Sequence, residues 1–136
     1  MQRKGLGAVT RTPEVIIVVD DDRAVRNSLK FSLEMEGFAV RTYADAHELL
    51  AETHYPNRGC LILDYKLPKM NGLELLGELR ARDVNLPALL ITTHPRPALC
   101  EEASRAGVLV VEKPLLGDVL SQSIHRALAG DANKHK

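Results

Sequence analysis

The chain is predicted to fold as one doubly wound α/β domain around a five-stranded parallel sheet. Three observations lead there. Short apolar runs of strand length recur along the chain. Between consecutive runs the apolar residues switch to helical spacing. The runs themselves are unbroken rather than alternating, which marks strands buried on both faces. Strands alternating with helices at this pitch form βαβ units, so the sheet is parallel and its crossovers right-handed. At 136 residues the chain suits a single domain of this kind.

In order, residues 1–13 are short of apolar side chains and carry Arg3, Lys4 and Arg11, so a flexible extension is expected there. The domain proper is expected over 14–129, with a flexible polar tail over 130–136. Val15 to Val19 is five β-branched residues in succession, the strongest strand signal in the chain. It stops at Asp20-Asp21-Asp22. From Arg23 the pattern is helical, with Val25, Leu29 and Leu33 on one face and Gly37 as the stop. Phe38 to Thr42 reads as a second strand, and Ala44 to Glu52 as a helix with Ala46, Leu49 and Leu50 inward. After the Tyr55-Pro56-Asn57 turn comes the run Cys60 to Leu63, which delivers Asp64 to the sheet edge. Asn71 and Gly72 open a helix whose inward residues are expected to be Leu73, Leu76 and Leu79. Ala88 to Ile91 is a fourth strand, ending at Thr92. His94-Pro95-Arg96-Pro97 leads into a short helix closing at Gly107. Val108 to Val111 is a fifth strand, ending at Glu112-Lys113-Pro114, and a last helix with Val119, Ile124 and Leu128 inward runs to Ala129.

Composition narrows the function. Lys plus Arg equals Asp plus Glu at 18 each, so no net charge draws the chain to nucleic acid or to an anionic membrane. Cys60 and Cys100 are far apart within apolar or helical patterns and read as buried free thiols in a reducing cytoplasm. No apolar run reaches the length of a membrane span, and the N-terminus lacks the apolar core of a signal peptide. A soluble cytoplasmic protein is expected, with neither nucleic acid nor membrane as a direct partner.

The chemistry is expected at the carboxyl ends of the strands, which all lie on one edge of a parallel sheet, where open α/β folds place their sites. The first strand ends in Asp20 and Asp21, the third in Asp64, the fourth in Thr92 and the fifth in Lys113. Crowded carboxylates repel unless a cation joins them. With oxygen ligands and no histidine at a strand end, the fitting cation is Mg²⁺. Such an assembly suits phosphoryl transfer to a carboxylate. Asp64, single and central, is the expected acceptor; Asp20 and Asp21 hold the metal, Thr92 meets a phosphoryl oxygen and Lys113 counters its charge. Asp22 reads as a helix cap.

Those residues carry a resemblance. Val18-Val19-Asp20-Asp21-Asp22, Asp64 followed by Leu67-Pro68-Lys69-Met70-Asn71-Gly72, then Thr92, then Glu112-Lys113-Pro114 stand in the order and spacing of the receiver domains of two-component response regulators. The chain most resembles the FixJ-type receivers, over roughly Val15 to Leu128. The resemblance implies a flavodoxin-like or CheY-like sheet of order 2-1-3-4-5. It implies phosphoryl transfer from a sensor histidine kinase, or a phosphotransfer protein, onto Asp64. It further implies that Asp21 and Asp64 ligate Mg²⁺ directly, that the Lys66 carbonyl is a third ligand, that Asp20 acts mainly through a metal-bound water, and that the Lys113-Pro114 bond is cis. The product is a conformational state controlling an output, transcription being the expected one. Relatives dimerise or meet an output domain through the fourth helix, fifth strand and fifth helix, here roughly Pro97 to Leu128.

The chain also departs from the family pattern. Val110 stands where receivers carry an aromatic residue, and the segment from Gly107 to Lys113 is one residue short. Thr93 replaces a small residue after Thr92, and Pro95 and Pro97 stiffen the next loop. Two rival readings follow from the residues. In a haloacid-dehalogenase-type phosphohydrolase, Asp20 of an Asp20-x-Asp22 pair would be the nucleophile, with Gly117-Asp118 as a faint second acidic motif. In a phosphate-independent docking module the same fold would serve as scaffold alone.

Overall fold

The structure, a computed structural model, describes residues 14–115 and 118–133, with side chains described as far as Gly130. The expected N-terminal extension lies outside the described residues, as do the last residues of the expected tail.

The β-branched run forms β1 (Val15–Val19), which pairs in parallel with β2 (Ala39–Tyr43) on one side and β3 (Gly59–Asp64) on the other. β4 (Ala88–Thr92) and β5 (Leu109–Glu112) extend the sheet beyond β3, giving the order 2-1-3-4-5. All six residues of β3 are buried, as an unbroken apolar run requires of a strand covered on both faces.

Alternate residues of each strand point to opposite faces, so the core has two halves. Ile16, Val18, Cys60, Ile62, Leu89 and Ile91 face α1 (Arg23–Met35) and α5 (Val119–Asn133). Ile17, Val19, Leu61, Leu63 and Leu90 face α2 (Ala46–Leu50), α3 (Gly72–Ala81) and α4 (Pro97–Arg105). Each fully buried aliphatic side chain here contributes roughly 1.5–3 kcal/mol. Among the described residues no helix is long and apolar enough to cross a membrane.

α1, α2 and α3 each start where a polar side chain takes unpaired N–H groups. Asp22 accepts from Ala24 N at 2.9 Å and Val25 N at 3.4 Å, and Asp45 accepts from Glu48 N at 2.9 Å. Asn71 and Glu74 form a reciprocal capping box at α3. α4 instead begins on Pro97, whose missing N–H has no partner to lose.

Several boundaries and faces differ from expectation. β2 and β5 each sit one residue later than expected, and α2 is limited to Ala46–Leu50 because Asp45 caps it. In α3 the inward leucines are Leu75, Leu76 and Leu79, with Leu73 only half-buried; residues 72, 75, 76 and 79 share one face of a 3.6-residue helix, and 73 lies a turn-fraction away. In α5, Leu120, Ile124 and Ala127 are buried and Val119 is 51% exposed, for the same reason: 120, 124 and 127 form the face. α5 continues to Asn133, a turn beyond the helix end expected at Ala129. Cys60 and Cys100 are free, as expected; Cys60 is buried, whereas Cys100, also expected to be buried, is only half-buried on α4.

Candidate functional site

The parallel registers bring the expected residues together. Val19 pairs with Leu63, placing Asp20 beside Asp64; Asp64 pairs with Ile91, placing Thr92 next along; Thr92 pairs with Glu112, so Lys113 follows at the rim. Asp20 (1% exposed), Asp64 (6%) and Thr92 (5%) are the buried polar side chains among the described residues, and all three stand at this edge.

Lys113 reaches across it. Its Nζ lies 3.1 Å from Asp20 Oδ2 and 3.2 Å from Asp64 Oδ2. The backbone of Lys113 is tied to the fourth strand, Lys113 N donating to Thr92 O at 2.8 Å. The Lys113-Pro114 bond is cis, as the resemblance implied. Burial pushes the Asp64 carboxyl up from 3.8 to about 6, and the neighbouring Asp20 carboxylate adds to the push; Lys113 and the Lys66 N–H resist it. For Lys113, burial favours the neutral amine, but the combined pull of Asp20 and Asp64 wins and raises its pKa. Replacing Lys113 with Met is therefore expected to raise the Asp64 pKa by about one unit or more in metal-free protein, read by carboxyl NMR titration. An unmoved midpoint would show that the ion pair does not govern this carboxylate.

Asp20 is held at both carboxylate oxygens. Oδ1 accepts from Asp22 N at 2.9 Å, while Oδ2 faces Lys113. Its carbonyl accepts from Arg26 Nη1 at 2.7 Å, and its N–H donates to Tyr43 O at 3.2 Å. Asp21, in contrast, is exposed and its carboxylate has no hydrogen bond or ion pair among the described residues. Asp22 is spent on capping α1. Lys66 N donates to Asp64 Oδ1 at 3.3 Å, and the Lys66 side chain is exposed. Thr92 Oγ1 accepts from His94 N at 3.2 Å, which leaves the hydroxyl proton available to a ligand. Beside it lies a cavity of about 330 Å³ lined by Tyr65, Lys66, Thr92, Thr93, His94 and Arg96. Val110 is half-buried against the core beside Leu90, at the place where an aromatic was expected to be missing.

Two residues matter more here than their sequence context indicated. Gly72, expected with Asn71 to open α3, does so at the N1 position. It is buried, and a Cβ there would stand 2.6 Å from the Asp64 carbonyl oxygen, so only glycine lets α3 start this close to Asp64. Arg26 belongs to none of the motifs above, yet its guanidinium holds the Asp20 carbonyl. Helical side chains lean toward the N-terminus, so an arginine one turn into a helix reaches the preceding loop, and that signal was present in the spacing.

A divalent cation fits this site. Asp20, Asp21 and Asp64 each offer a carboxylate oxygen, and the three lie within 4.8 Å of one another. An all-oxygen set beside open space for water is the preference of Mg²⁺.

Comparison with known proteins agrees with this geometry. The sequence model of the response regulator receiver domain matches residues 16–125. The transcriptional regulatory protein FixJ of Rhizobium meliloti is 38% identical over 117 residues, covering 85% of this chain and 57% of that protein. The C4-dicarboxylate transport transcriptional regulatory protein DctD of Pseudomonas aeruginosa is 35% identical over 114 residues, covering 83% of this chain and 25% of that one. The chain thus spans little more than half the length of FixJ and a quarter of DctD. Among solved structures, FixJ-N superposes with a TM-score of 0.76 at 36% identity, covering 88% of this chain and 96% of that one. The chemotaxis protein CheY4 of Vibrio cholerae superposes with a TM-score of 0.79 at 27% identity, covering 86% of this chain and all (100%) of that one. With fold, edge residues and sequence in agreement, the chain belongs to the family of response regulator receiver domains.

Proposed function

We propose that Asp64 is the phosphoacceptor of this receiver and that it takes its phosphoryl group from the phosphohistidine of a sensor histidine kinase or phosphotransfer protein. The observation that carries the reading is the buried Asp64 carboxylate, paired with Lys113 at 3.2 Å and grouped with Asp20 and Asp21. An Asp64 oxygen attacks phosphorus, the P–N bond breaks, and the imidazole nitrogen keeps the electron pair. Lys113 and Thr92 offset charge on the phosphoryl oxygens, and Asp64 is oriented by the Lys66 N–H. Asp21, Asp64 and the Lys66 carbonyl would hold Mg²⁺, with Asp20 in support. The bound ion supplies charge neutralisation to the transferring group.

The domain is a signalling element, and its own phosphorylation and dephosphorylation are the chemistry it catalyses. Its output, read through the surface from Pro97 to Leu128 by dimerisation or by contact with an output domain, is proposed to be transcription. Asp22's commitment to capping α1 disfavours the phosphohydrolase reading, because it withdraws the second acid of that motif.

Incubating the protein with a small acyl phosphate and Mg²⁺, followed by intact-mass measurement, is expected to show one added phosphoryl group. The adduct should vanish with EDTA and in Asp64→Asn. Retention of the adduct in Asp64→Asn with its loss in Asp20→Asn would favour the hydrolase reading instead. The exposed Lys66 side chain is proposed to slow the approach of water, so the acyl phosphate is expected to decay several-fold faster in Lys66→Ala; an unaltered lifetime would remove that role.

A further inference from the structure

The three clustered acids are not held alike. Asp20 is tied at its N–H, its carbonyl and both carboxylate oxygens, and Asp64 by Lys113 and Lys66. Asp21 has no side-chain partner among the described residues, so none of their side chains fixes its carboxylate, and the placing of its backbone is what aims it. That backbone begins at the peptide plane joining Asp20 to Asp21, whose carbonyl is gripped by the Arg26 guanidinium at 2.7 Å. Arg26 is half-buried on α1, and its own N–H is fixed to the Asp22 carbonyl at 3.0 Å, so the grip comes from a rigid turn.

We infer that Arg26 is a positioning residue of the cation site: it locks the Asp20–Asp21 peptide plane and thereby points the unpartnered Asp21 carboxylate toward Asp64 before any ion arrives. The inference rests on the cation reading of this site and assigns a residue outside the acid set to it. The sign of the effect separates positioning from charge. As a nearby cation, Arg26 repels Mg²⁺, so its removal would tighten binding if charge were all that counted. As a clamp, its removal frees the peptide to rock and binding weakens. Partners that orient ligands from outside the ligand set typically control about 10–100-fold in metal affinity.

The test is a Mg²⁺ titration by calorimetry of wild type, Arg26→Ala, Arg26→Lys and Lys30→Ala. Amide hydrogen exchange at Asp22, whose N–H bonds Asp20 Oδ1, is followed in the metal-free proteins. Lys30 is a cation on the same helix, paired with Glu34 and remote from the clamp in the hydrogen-bond pattern. Arg26→Ala is expected to bind Mg²⁺ about tenfold more weakly with faster Asp22 exchange, Arg26→Lys to recover part of both, and Lys30→Ala to stay within about twofold of wild type. Arg26→Ala binding as tightly as wild type, or more tightly, overturns the inference, as does an equal loss in Lys30→Ala. Absence of Mg²⁺ binding by wild type would instead sink the cation reading on which it stands. If Arg26→Ala does not fold, Arg26→Lys carries the comparison: its Mg²⁺ affinity must fall below that of wild type.

Discussion

Asp64→Asn is expected to abolish phosphoryl uptake and, in the same molecule, to make the metal-free protein more stable. Uptake fails because an amide oxygen is not a nucleophile toward phosphorus. Stability rises because folding moves the Asp64 pKa from 3.8 up to about 6. The folded state therefore prefers the protonated, uncharged side chain. The penalty for ionising it is complete above about pH 6 and gone below 3.8. A shift of about two units corresponds to roughly 3 kcal/mol, or a rise in Tm of roughly 5–10 °C for Asp64→Asn at neutral pH. Wild type should draw level with the variant as pH falls through that window, since protonation removes the same charge. Added Mg²⁺ should stabilise wild type by mass action and the variant much less. Thermal melts of both proteins across the acid range, with and without Mg²⁺, measure all of this. A variant less stable than wild type at neutral pH would contradict the assignment of Asp64 as the strained charge of the edge.

Gly59→Ala is expected to cause the largest loss of stability, at a position with no chemistry. Gly59 opens β3 at φ 152°, a conformation that side chains disfavour, and a Cβ would lie 1.9 Å from the Val15 carbonyl oxygen. Val15 is its partner in the β1–β3 register, so relief requires the two strands to part at the start of their pairing. The cost is at least about 3 kcal/mol, combining backbone strain with displacement of a paired strand. Gly77, inside α3 with open space around its Cα, provides the opposite case: Gly77→Ala should stabilise by about 0.5–1 kcal/mol. Urea denaturation of the pair measures both. Similar midpoints would mean that the close approach at Gly59 relaxes at little expense.

The strands were legible because burial on both faces leaves an unmistakable mark: Val15 to Val19 and Gly59 to Asp64 have almost nothing else to be. Helix faces were less so. Leu73 and Leu75 are equally apolar, as are Val119 and Leu120, and only the packed neighbour decides which of two adjacent positions turns inward. A helix period of 3.6 leaves an error of one residue, and sequence alone does not correct it. The end of α5 was set too early for a related reason: a polar composition lowers the expected burial of a last turn without forbidding its hydrogen bonds.

For the site the division is sharper. Sequence by itself determined which residues stand at strand ends, and a parallel sheet then requires those ends to share one edge, so Asp20, Asp21, Asp64, Thr92 and Lys113 could be gathered without coordinates. Tertiary structure alone decided how they meet. Lys113 is shared between Asp20 and Asp64, and Asp21 has no side-chain partner among the described residues. Gly72 presses on the Asp64 carbonyl, while Arg26 grips the peptide between the first two acids. The physical reason is range: strand identity is written in neighbours along the chain, whereas hydrogen bonds of about 3 Å depend on side-chain directions set by packing between elements far apart in sequence.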